Sequence, residues 1–242
     1  MKDKAIFNWS GGKDSALCLH HVLNENRLEV VGLLTSVSKE YQRISMHGVR
    51  VELLERQAAQ VGIPLTKMEV PEMPTMEAYE KAMEDILEKF KNEGVSHSVF
   101  GDIFLEDLRA YREKKLALLN LKGVFPLWKK STKKIIHEFL DLGFKTITTC
   151  VNEKYLDKSF AGRIIDHDFL NDLPAGVDPC GENGEFHTFV FDGPIFSNPI
   201  DFTTGEIVYR KYSPPSKDEK GDECNNQEPF DTGFFYCDLL PA

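Results

Sequence analysis

The chain has 242 residues, of which 41% are hydrophobic, so one large domain, or a main domain with a smaller partner, can bury a sizeable core. Its 29 lysine and arginine residues against 39 aspartate and glutamate residues give a formal net charge of −10, which argues against a generalised nucleic-acid-binding surface. The sequence holds no 18-residue apolar run and no signal-peptide pattern, and its five cysteines are scattered without a C-x-x-C pair. We therefore expect a cytoplasmic protein with reduced thiols, without a membrane segment, a disulfide framework or a zinc site.

Short β-rich runs alternate with helical apolar periodicity through the first half of the chain. Strands are predicted at residues 4–9, 28–36, 64–70, 95–103 and 124–128. Helices are predicted at residues 14–24, 50–62, 75–92, 105–121 and 131–142. This order indicates an α/β protein with a doubly wound parallel sheet, whose ligands bind at the carboxyl ends of the strands.

The pattern changes beyond about residue 145, where a second set of elements is predicted. This set consists of a strand at 145–151, a helix at 160–173 and a strand at 185–191. We interpret residues 1–129 as the main lobe and residues 130–212 as a smaller C-terminal α/β lobe. Residues 213–242 are predicted to be an acidic tail that is flexible in its polar part. Its apolar end, "FFYCDLL", either docks back on the body or binds a partner.

A glycine turn joins the first predicted strand to the first predicted helix. Its residues are Ser10, Gly11, Gly12, Lys13, Asp14 and Ser15. The two glycines let the backbone approach an anion closely, and the helix N-terminus favours negative charge. Lys13 adds a positive charge, whereas Asp14 either caps the helix or coordinates Mg²⁺ beside a phosphate. A plain strand–turn–helix with an aspartate cap is the alternative that the residues alone leave open.

The string S-G-G-K-D-S at residues 10–15 resembles the pyrophosphate loop (PP-loop) of the ATP pyrophosphatases. The resemblance implies a HUP-like fold (adenine nucleotide alpha hydrolase-like) in which this loop holds the β,γ-pyrophosphate of ATP. A substrate oxygen then attacks the α-phosphorus, and AMP and pyrophosphate are released. On this basis residues 10–15 are assigned to ATP, Lys13 and Asp14 to catalysis, and Asp14 to Mg²⁺.

Two further stretches resemble the diphthine–ammonia ligase family. They are "GDIFLEDLRAYREKKLALLNLKGVFPLW" at 101–128 and "GRIIDHDFLNDLPAGVDPCGENGEFHTFVFDGPIF" at 162–196, and the similarity spans about residues 4–212. Members of that family adenylate a carboxylate on a modified histidine of the translation elongation factor and then aminate it with ammonium. The resemblance implies an amide-forming ligase that uses ATP, ammonium and a protein-borne or small-molecule carboxylate. No membrane or nucleic-acid partner is expected, and a homo-oligomer is left open.

The segment "CGENGEFHTFV" supplies a second set of candidates. On a strand Glu185 and His187 share one face, and Glu182 lies one glycine turn earlier, so two carboxylates and an imidazole can converge. Such a cluster suits binding an amine, coordinating Mg²⁺, or accepting a proton as ammonia attacks. The alternative is an edge strand with a solvated polar face. The resemblance favours the first interpretation, which assigns all three residues to the substrate and Glu185 and His187 also to catalysis.

Four more residues are predicted from their positions at strand ends. Gly101 and Asp102 follow a strand and are assigned to ATP, with Asp102 holding Mg²⁺ or ribose or, alternatively, capping a helix. Thr35 and Ser36 end the second strand and are assigned to adenine on topology alone.

A helix and a loop beside these strand ends carry further candidates. Arg109 and Glu113 lie four residues apart and either form an ordinary ion pair or, as the resemblance implies, contact the α-phosphate or the substrate carboxylate. His47 and Gly48 fall in a loop over the nucleotide edge, where a lid is useful, although a lone loop histidine is more often a surface residue.

Three other functions stay open at the level of the sequence. They are the same chemistry on a small-molecule carboxylate, ATP or AMP binding without turnover, and tRNA thiolation. Thiolation needs paired cysteines and a basic surface, whereas Cys150 and Cys180 are the only plausible pair and the chain is acidic. A buried structural thiol is the better interpretation of Cys180.

Overall fold

The computed structural model describes residues 2–45, 47–71, 75–212 and 232–242, which form two β-sheets with helices around them. The strands are β1 (Asp3–Asn8), β2 (Leu28–Ser38), β3 (Arg43–Ile44), β4 (Leu65–Val70), β5 (Val95–Val99), β6 (Lys122–Val124), β7 (Lys145–Asn152), β8 (Phe186–Asp192), β9 (Phe202–Tyr212) and β10 (Thr232–Pro241). The helices are α1 (Lys13–Glu25), α2 (Val51–Val61), α3 (Met76–Asn92), α4 (Glu106–Leu118), α5 (Thr132–Asp141) and α6 (His167–Asp172).

The first sheet has the order β3-β2-β1-β5-β6, with β4 also paired to β2. Every pairing is parallel except that of β3 with β2. Ala5 and Phe7 of β1 belong to one apolar core and Ile6 to another, so both faces of the central strand are covered. The predicted doubly wound α/β fold is thereby confirmed, and the loop after β1 lies in the middle of the carboxyl edge.

The second sheet is antiparallel and has the order β8-β7-β10-β9. Its strands β9 and β10 have no counterpart among the predicted elements. Residues 234–240, predicted as the apolar end of the tail, lie within β10, which pairs with β7 and β9. Of the two alternatives for this segment, docking on the body is therefore correct. The predicted flexible part, residues 213–231, lies outside the described residues.

Several predicted elements have different bounds in the structure. Strand β5 ends at Val99 rather than at residue 103, and α4 ends at Leu118 rather than at residue 121. The helix predicted at 160–173 begins only at His167, because Lys158–Phe160 forms a short 3₁₀ turn and Asp166 caps the helix by accepting a hydrogen bond from the Phe169 N–H at 2.8 Å. The strand predicted at 124–128 is replaced by β6, which ends at Val124.

One continuous apolar core joins the two sheets. It includes Leu17 of α1 and Leu53 of α2 together with Phe186 and Phe189 of β8. Burial of this shared core fixes β8 against the start of α1. The division of the chain into lobes at residue 130 stays a prediction. No helix in the described ranges is both long enough and apolar enough to cross a bilayer.

Candidate active site

A cleft of about 1490 Å³ lies at the carboxyl edge of the first sheet, with residues of both sheets on its walls. Thirteen residues singled out in the sequence line it: Ser10, Gly12, Lys13, Asp14, Ser15, Thr35, Ser36, His47, Gly101, Asp102, Cys180, Glu182 and His187. Among the other candidates, Gly11, Gly48, Arg109, Glu113 and Glu185 do not line it.

The PP-loop is held in shape by contacts that only glycine permits. Gly11 has a φ of +74°, and a Cβ atom there would lie 2.4 Å from Oε1 of Gln57. A Cβ atom on Gly101 would lie 3.2 Å from the backbone of Asp14, so the start of α1 packs directly on the end of β5. The Ser15 hydroxyl donates to the Gly12 carbonyl at 2.9 Å, which ties the loop to the first helical turn.

Gln57 and Thr188 brace the loop from outside, and the sequence does not predict either. The amide of Gln57 is fully buried and donates to the carbonyls of Gly11 at 2.9 Å and Val190 at 2.6 Å. The Thr188 hydroxyl accepts a hydrogen bond from the backbone N–H of Lys13 at 3.0 Å. Strand β8 of the second sheet therefore fixes the backbone of the PP-loop.

Lys13 and Asp14 form a buried ion pair at the head of α1. Their Nζ–Oδ2 distance is 2.7 Å, and the Lys13 side chain is only 4% exposed. Burial alone would lower the pKa of Lys13, but the charge of Asp14, its hydrogen bond with Lys13 and the further acidic groups Cys180 and Glu182 together outweigh burial, and the pKa is raised. The ammonium thus stays charged in the cleft, where an incoming phosphate would compete with Asp14 for it.

Three carboxyl groups gather beside this ammonium. Burial raises the pKa of Asp14, and burial with the nearby charge of Asp14 raises the pKa of Asp102 against the opposing effect of Arg112. Burial and the charge of Asp14 also raise the pKa of Glu182 to about 7. Glu182 Oε1 accepts the backbone N–H of Ile103 at 3.1 Å, which fixes this carboxyl against the loop after β5.

The carboxylate oxygens of this cluster fit Mg²⁺. Asp14 Oδ1 and Asp102 Oδ2 are buried and accept no hydrogen bond of good geometry from the described residues, although Arg112 Nε lies 3.2 Å from Asp102 Oδ2 as an ion-pair partner. Oxygens of this kind bind Mg²⁺ together with water and substrate phosphates. No group of three or more His, Cys, Asp or Glu side chains in the described ranges could hold a metal ion by itself. The arrangement therefore suits a cation that arrives with a nucleotide.

Two histidines cover the PP-loop. His47 belongs to the cover hairpin, residues 43–50, of which the structure describes all but residue 46. Its ring lies 4.6 Å from that of His187, and its Nδ1 lies 3.2 Å from the Thr188 carbonyl oxygen. Burial lowers the pKa of His47 to about 4 and holds the pKa of His187 well below its usual range, with the charge of Lys13 acting in the same direction. Both imidazoles are therefore neutral near pH 7.

Thr35 and Ser36 lie on the cleft wall, but their polar groups are used within the protein. The Thr35 hydroxyl donates to the Trp9 carbonyl at 2.5 Å, and the Ser36 carbonyl accepts the Ser45 N–H at 3.3 Å. Their assignment to adenine stays a prediction.

Glu185 is buried and serves the loop that precedes β8. Its carboxylate accepts the N–H groups of Asp178 at 3.0 Å and Asn183 at 2.8 Å, and the Asn183 amide at 3.0 Å. These donors occupy both carboxylate oxygens, and Glu185 is not among the residues that line the cleft, so the structure favours a role in shaping the D-P-C-G-E-N-G-E turn.

A different arginine from the predicted one reaches the cleft. Arg109 pairs with Glu113 at 2.8 Å and stacks over the rings of Phe125 and Trp128, each 4.6 Å away. Arg112 lies in the cleft wall instead, with Nε 3.2 Å from Asp102 Oδ2.

A sequence signal for Arg112 does exist. The cleft-lining residues Leu105, Leu108, Arg112, Leu116 and Leu119 follow helical spacing on one face of the segment that contains α4. The arginine within this apolar stripe is therefore the one directed at the cleft.

Cys180 lines the cleft as a buried thiol. Its S–H donates to the Thr132 carbonyl at 3.2 Å, and burial strongly raises its pKa. The four cysteines of the described ranges are all buried and free of disulfides. A protonated, hydrogen-bonded thiol is a poor nucleophile, in agreement with the structural interpretation of Cys180.

Comparison with known proteins gives the same family for both halves of the chain. The diphthamide synthase N-terminal domain matches residues 2–122, and the diphthamide synthase C-terminal domain matches residues 131–215. A human protein named diphthine–ammonia ligase is 26% identical over 225 residues, which cover 82% of each chain. The bovine protein of that name is 30% identical over 128 residues, covering 51% of this chain and 47% of that protein.

Two solved structures are similar to part of this chain. A predicted subunit of a tRNA methyltransferase from Methanocaldococcus jannaschii is 16% identical with a TM-score of 0.38, covering 59% of this chain and 77% of that chain. A U34-tRNA thiolase from Methanococcus maripaludis is 21% identical with a TM-score of 0.36, covering 59% of this chain and 58% of that chain. Scores this low carry no argument about function.

Proposed function

The chain belongs to the diphthamide synthase family, and from that premise we propose that it is an ATP-dependent ligase that converts the carboxylate of diphthine into an amide with ammonia. The observation that carries the proposal is the cleft itself. A glycine loop, a buried ammonium and the carboxylates of Asp14 and Asp102 line it together, at the carboxyl edge of a doubly wound sheet.

Adenylation is the first step of the proposed reaction. An oxygen of the acceptor carboxylate attacks the α-phosphorus of ATP, a new O–P bond forms, and the bond to the β-phosphate oxygen breaks with release of pyrophosphate. Lys13 and the N–H groups at the start of α1 stabilise the charge that develops on this leaving group. Arg112 is placed to neutralise either the α-phosphate or the acceptor carboxylate.

Asp14 and Asp102 are the residues that would hold Mg²⁺, which supplies charge neutralisation of the phosphates when bound. Its arrival would also relieve the repulsion among the carboxyl groups of Asp14, Asp102 and Glu182. The pKa values of all three are raised by burial, and the charge of Asp14 contributes to those of the other two.

Amination is the second step. Ammonium loses a proton, the nitrogen of the resulting ammonia attacks the acyl carbon, and a C–N bond forms. The nitrogen then loses a second proton as the bond to the AMP oxygen breaks, so that the amide and AMP are released. Glu182 is the best-placed proton acceptor, because a pKa of about 7 matches a base that works near neutral pH. The neutral rings of His47 and His187 supply acceptor nitrogens beside the loop but have pKa values too low to act as strong bases.

The proposed acceptor is the elongation factor carrying diphthine, which places the reaction in the cytoplasm and leaves the oligomeric state of the ligase open. The test is ATP–pyrophosphate exchange with radiolabelled pyrophosphate and Mg²⁺, run with and without this acceptor. Wild type, Lys13→Met and Asp14→Asn are compared with the control Asp107→Asn, an exposed carboxylate at the start of α4.

Acceptor-dependent exchange that falls at least about 100-fold in the two loop variants supports adenylation. Incorporation of nitrogen-15 from ammonium into the acceptor supports amidation. Exchange that needs no acceptor, or ATP binding without any exchange, contradicts the proposal.

A further inference from the structure

The cover hairpin lies directly on the PP-loop. Within it, the N–H of Ile44 donates to the Val49 carbonyl at 2.8 Å, and the N–H of Gly48 donates to the Ile44 carbonyl at 3.1 Å. A Cβ atom on Gly12 would lie 3.0 Å from Cε1 of His47, so the imidazole rests on the loop backbone. The hairpin therefore decides how far the cleft is closed above the loop.

Both ends of the cover hairpin are bound by one carboxylate from the far end of the chain. Asp238 of β10 accepts hydrogen bonds from Arg43 NH1 at 2.8 Å and from Arg50 Nε at 3.1 Å and NH2 at 2.6 Å. Arg43 and Arg50 face each other across an antiparallel bridge, so Asp238 binds the base of the hairpin from both sides. Arg43 NH1 also donates to the Gly48 carbonyl at 2.6 Å, which connects the ion pair to the turn that carries His47.

Asp238 is charged throughout the physiological pH range. Burial would raise its pKa, but the hydrogen bonds from Arg50 and Arg43 outweigh burial and lower the pKa to about 2. Its side chain is 21% exposed, and those of Arg43 and Arg50 are 30% and 40% exposed. A bidentate, partly buried contact of this kind has a defined geometry, unlike a single exposed ion pair.

Strand β10 contributes to the cleft as well as to the hairpin. Thr232 and Phe234 line the cleft, and a Cβ atom on Gly48 would lie 2.9 Å from the ring of Tyr236. The strand begins 17 residues beyond the end of the matched C-terminal family domain at residue 215. The distal strand of this chain thus lies against the closure of its nucleotide site.

We propose that Asp238 is a positioning residue that holds the cover hairpin through Arg43 and Arg50, so that His47 closes over the PP-loop when ATP binds. This inference rests on the proposed function, because it takes the PP-loop to be the ATP site. Arg43, Arg50 and Asp238 are not among the residues that line the cleft, so the ion pair acts through the cover hairpin. Loss of the ion pair between Asp238 and the two arginines lowers the fraction of molecules with a closed cleft. The apparent affinity for ATP falls in proportion to that fraction.

The experiment compares Asp238→Asn with Asp192→Asn in the full-length chain. Asp192 is a matched control, because its carboxylate is 25% exposed, pairs with Lys145 at 2.8 Å, and lies in the same sheet without touching the cover hairpin. The measurements are KM for ATP and kcat in pyrophosphate exchange, and hydrogen–deuterium exchange of peptides that cover residues 43–50. Arg50→Gln and the double variant Arg50→Gln/Asp238→Asn complete a double-mutant cycle.

We expect Asp238→Asn to raise KM for ATP about tenfold with kcat within about twofold, and to speed amide exchange in the cover hairpin. Arg50→Gln should behave alike, and the double variant should be no worse than the single ones. Asp192→Asn should match wild type in both measurements.

Unchanged KM for ATP together with unchanged hydrogen–deuterium exchange of the cover hairpin in Asp238→Asn would overturn the inference. If the wild type is active in pyrophosphate exchange in the same experiment, the proposed function still stands. Faster hydrogen–deuterium exchange throughout the protein in Asp238→Asn would mean that the ion pair only stabilises the fold, and this result would also overturn the inference. If Asp238→Asn does not fold, the same comparison is made with Arg50→Gln, whose side chain is more exposed.

Discussion

Replacing Glu182 by glutamine should stabilise the protein, and the gain should grow as the pH rises. The pKa of Glu182 lies near 7 in the folded protein against an ordinary value of 4.5, because burial and the charge of Asp14 disfavour the carboxylate. A group with a pKa raised by folding contributes stability that is present below its unfolded pKa and lost as the pH passes its folded pKa. As the pH rises from 4.5 to about 7, the free energy of unfolding of the wild type thus falls through this group, whereas that of Glu182→Gln does not.

The magnitude follows from the same two values. The difference between 4.5 and about 7 corresponds to about 3 kcal/mol, at about 1.4 kcal/mol for each pKa unit. Because Glu182 is only half-buried, solvent screening reduces the expected gain to about 2 kcal/mol near pH 8. For a chain of this size that gain corresponds to roughly 4–8 °C in Tm. Glutamine keeps an oxygen for the Ile103 N–H, so the loop after β5 should not change.

The assay is urea and thermal unfolding of wild type and Glu182→Gln, with a chelator present, near pH 4.5 and near pH 8. The difference between the two proteins should be below about 0.5 kcal/mol at the lower pH and about 2 kcal/mol at the higher. Glu52→Gln is the control, because Glu52 is 61% exposed and pairs with Arg56 on the same helix, outside the cleft. A gain of equal size at both pH values, or none at either, would refute the reasoning that the cleft disfavours this carboxylate.

Three further predictions concern the loop and its neighbours. Gln57→Met should lower the free energy of unfolding by about 3 kcal/mol, because two buried carbonyls lose their donor. Gln60→Met should cost less than about 1 kcal/mol, because the half-buried Gln60 loses one exposed hydrogen bond, from the Asn198 amide at 3.3 Å. Equal losses in urea unfolding would contradict the bracing role. Gly12→Ala should raise KM for ATP in pyrophosphate exchange roughly five- to tenfold, because its Cβ would lie 3.0 Å from the His47 ring. An unchanged KM would mean that the cover hairpin can move away from the new methyl group at no measurable cost. Cys180→Ala should retain pyrophosphate exchange. In the native protein Cys180 should resist alkylation, as measured by peptide mass spectrometry, because its thiol is buried and its pKa is raised. Rapid alkylation would indicate an exposed thiolate.

Much of the first sheet could be predicted from local sequence. Its strands and helices carry period-two or continuous apolar runs and helical periodicity, and those patterns depend only on residues near one another in the chain. The predicted order of elements then leaves few topologies, because parallel crossovers are right-handed and ligands bind at the carboxyl edge. The loop at residues 10–15 was placed correctly at the head of α1 for these reasons.

The second sheet was predicted incompletely, for a related reason. Strand β10 is recognisable as a strand only through its pairing with β7 and β9, and its polar Asp238 interrupts the apolar run. The sequence by itself could not choose between a docked segment and a partner-binding one. The pairing of β10 with β7 and β9 shows that this segment is docked on the body.

Local sequence is enough to recognise the residue types of the site: a glycine loop that admits an anion, one lysine beside it, and carboxylates after neighbouring strands. Which of these residues lie close together depends on the tertiary structure. Gln57 is 133 residues from the carbonyl of Val190 that it holds, and Thr188 is 175 residues from the N–H of Lys13, so no local pattern could indicate these contacts. The same packing turned Arg112 into the cleft and left Arg109 on two aromatic rings, because only one face of α4 can be directed at the site.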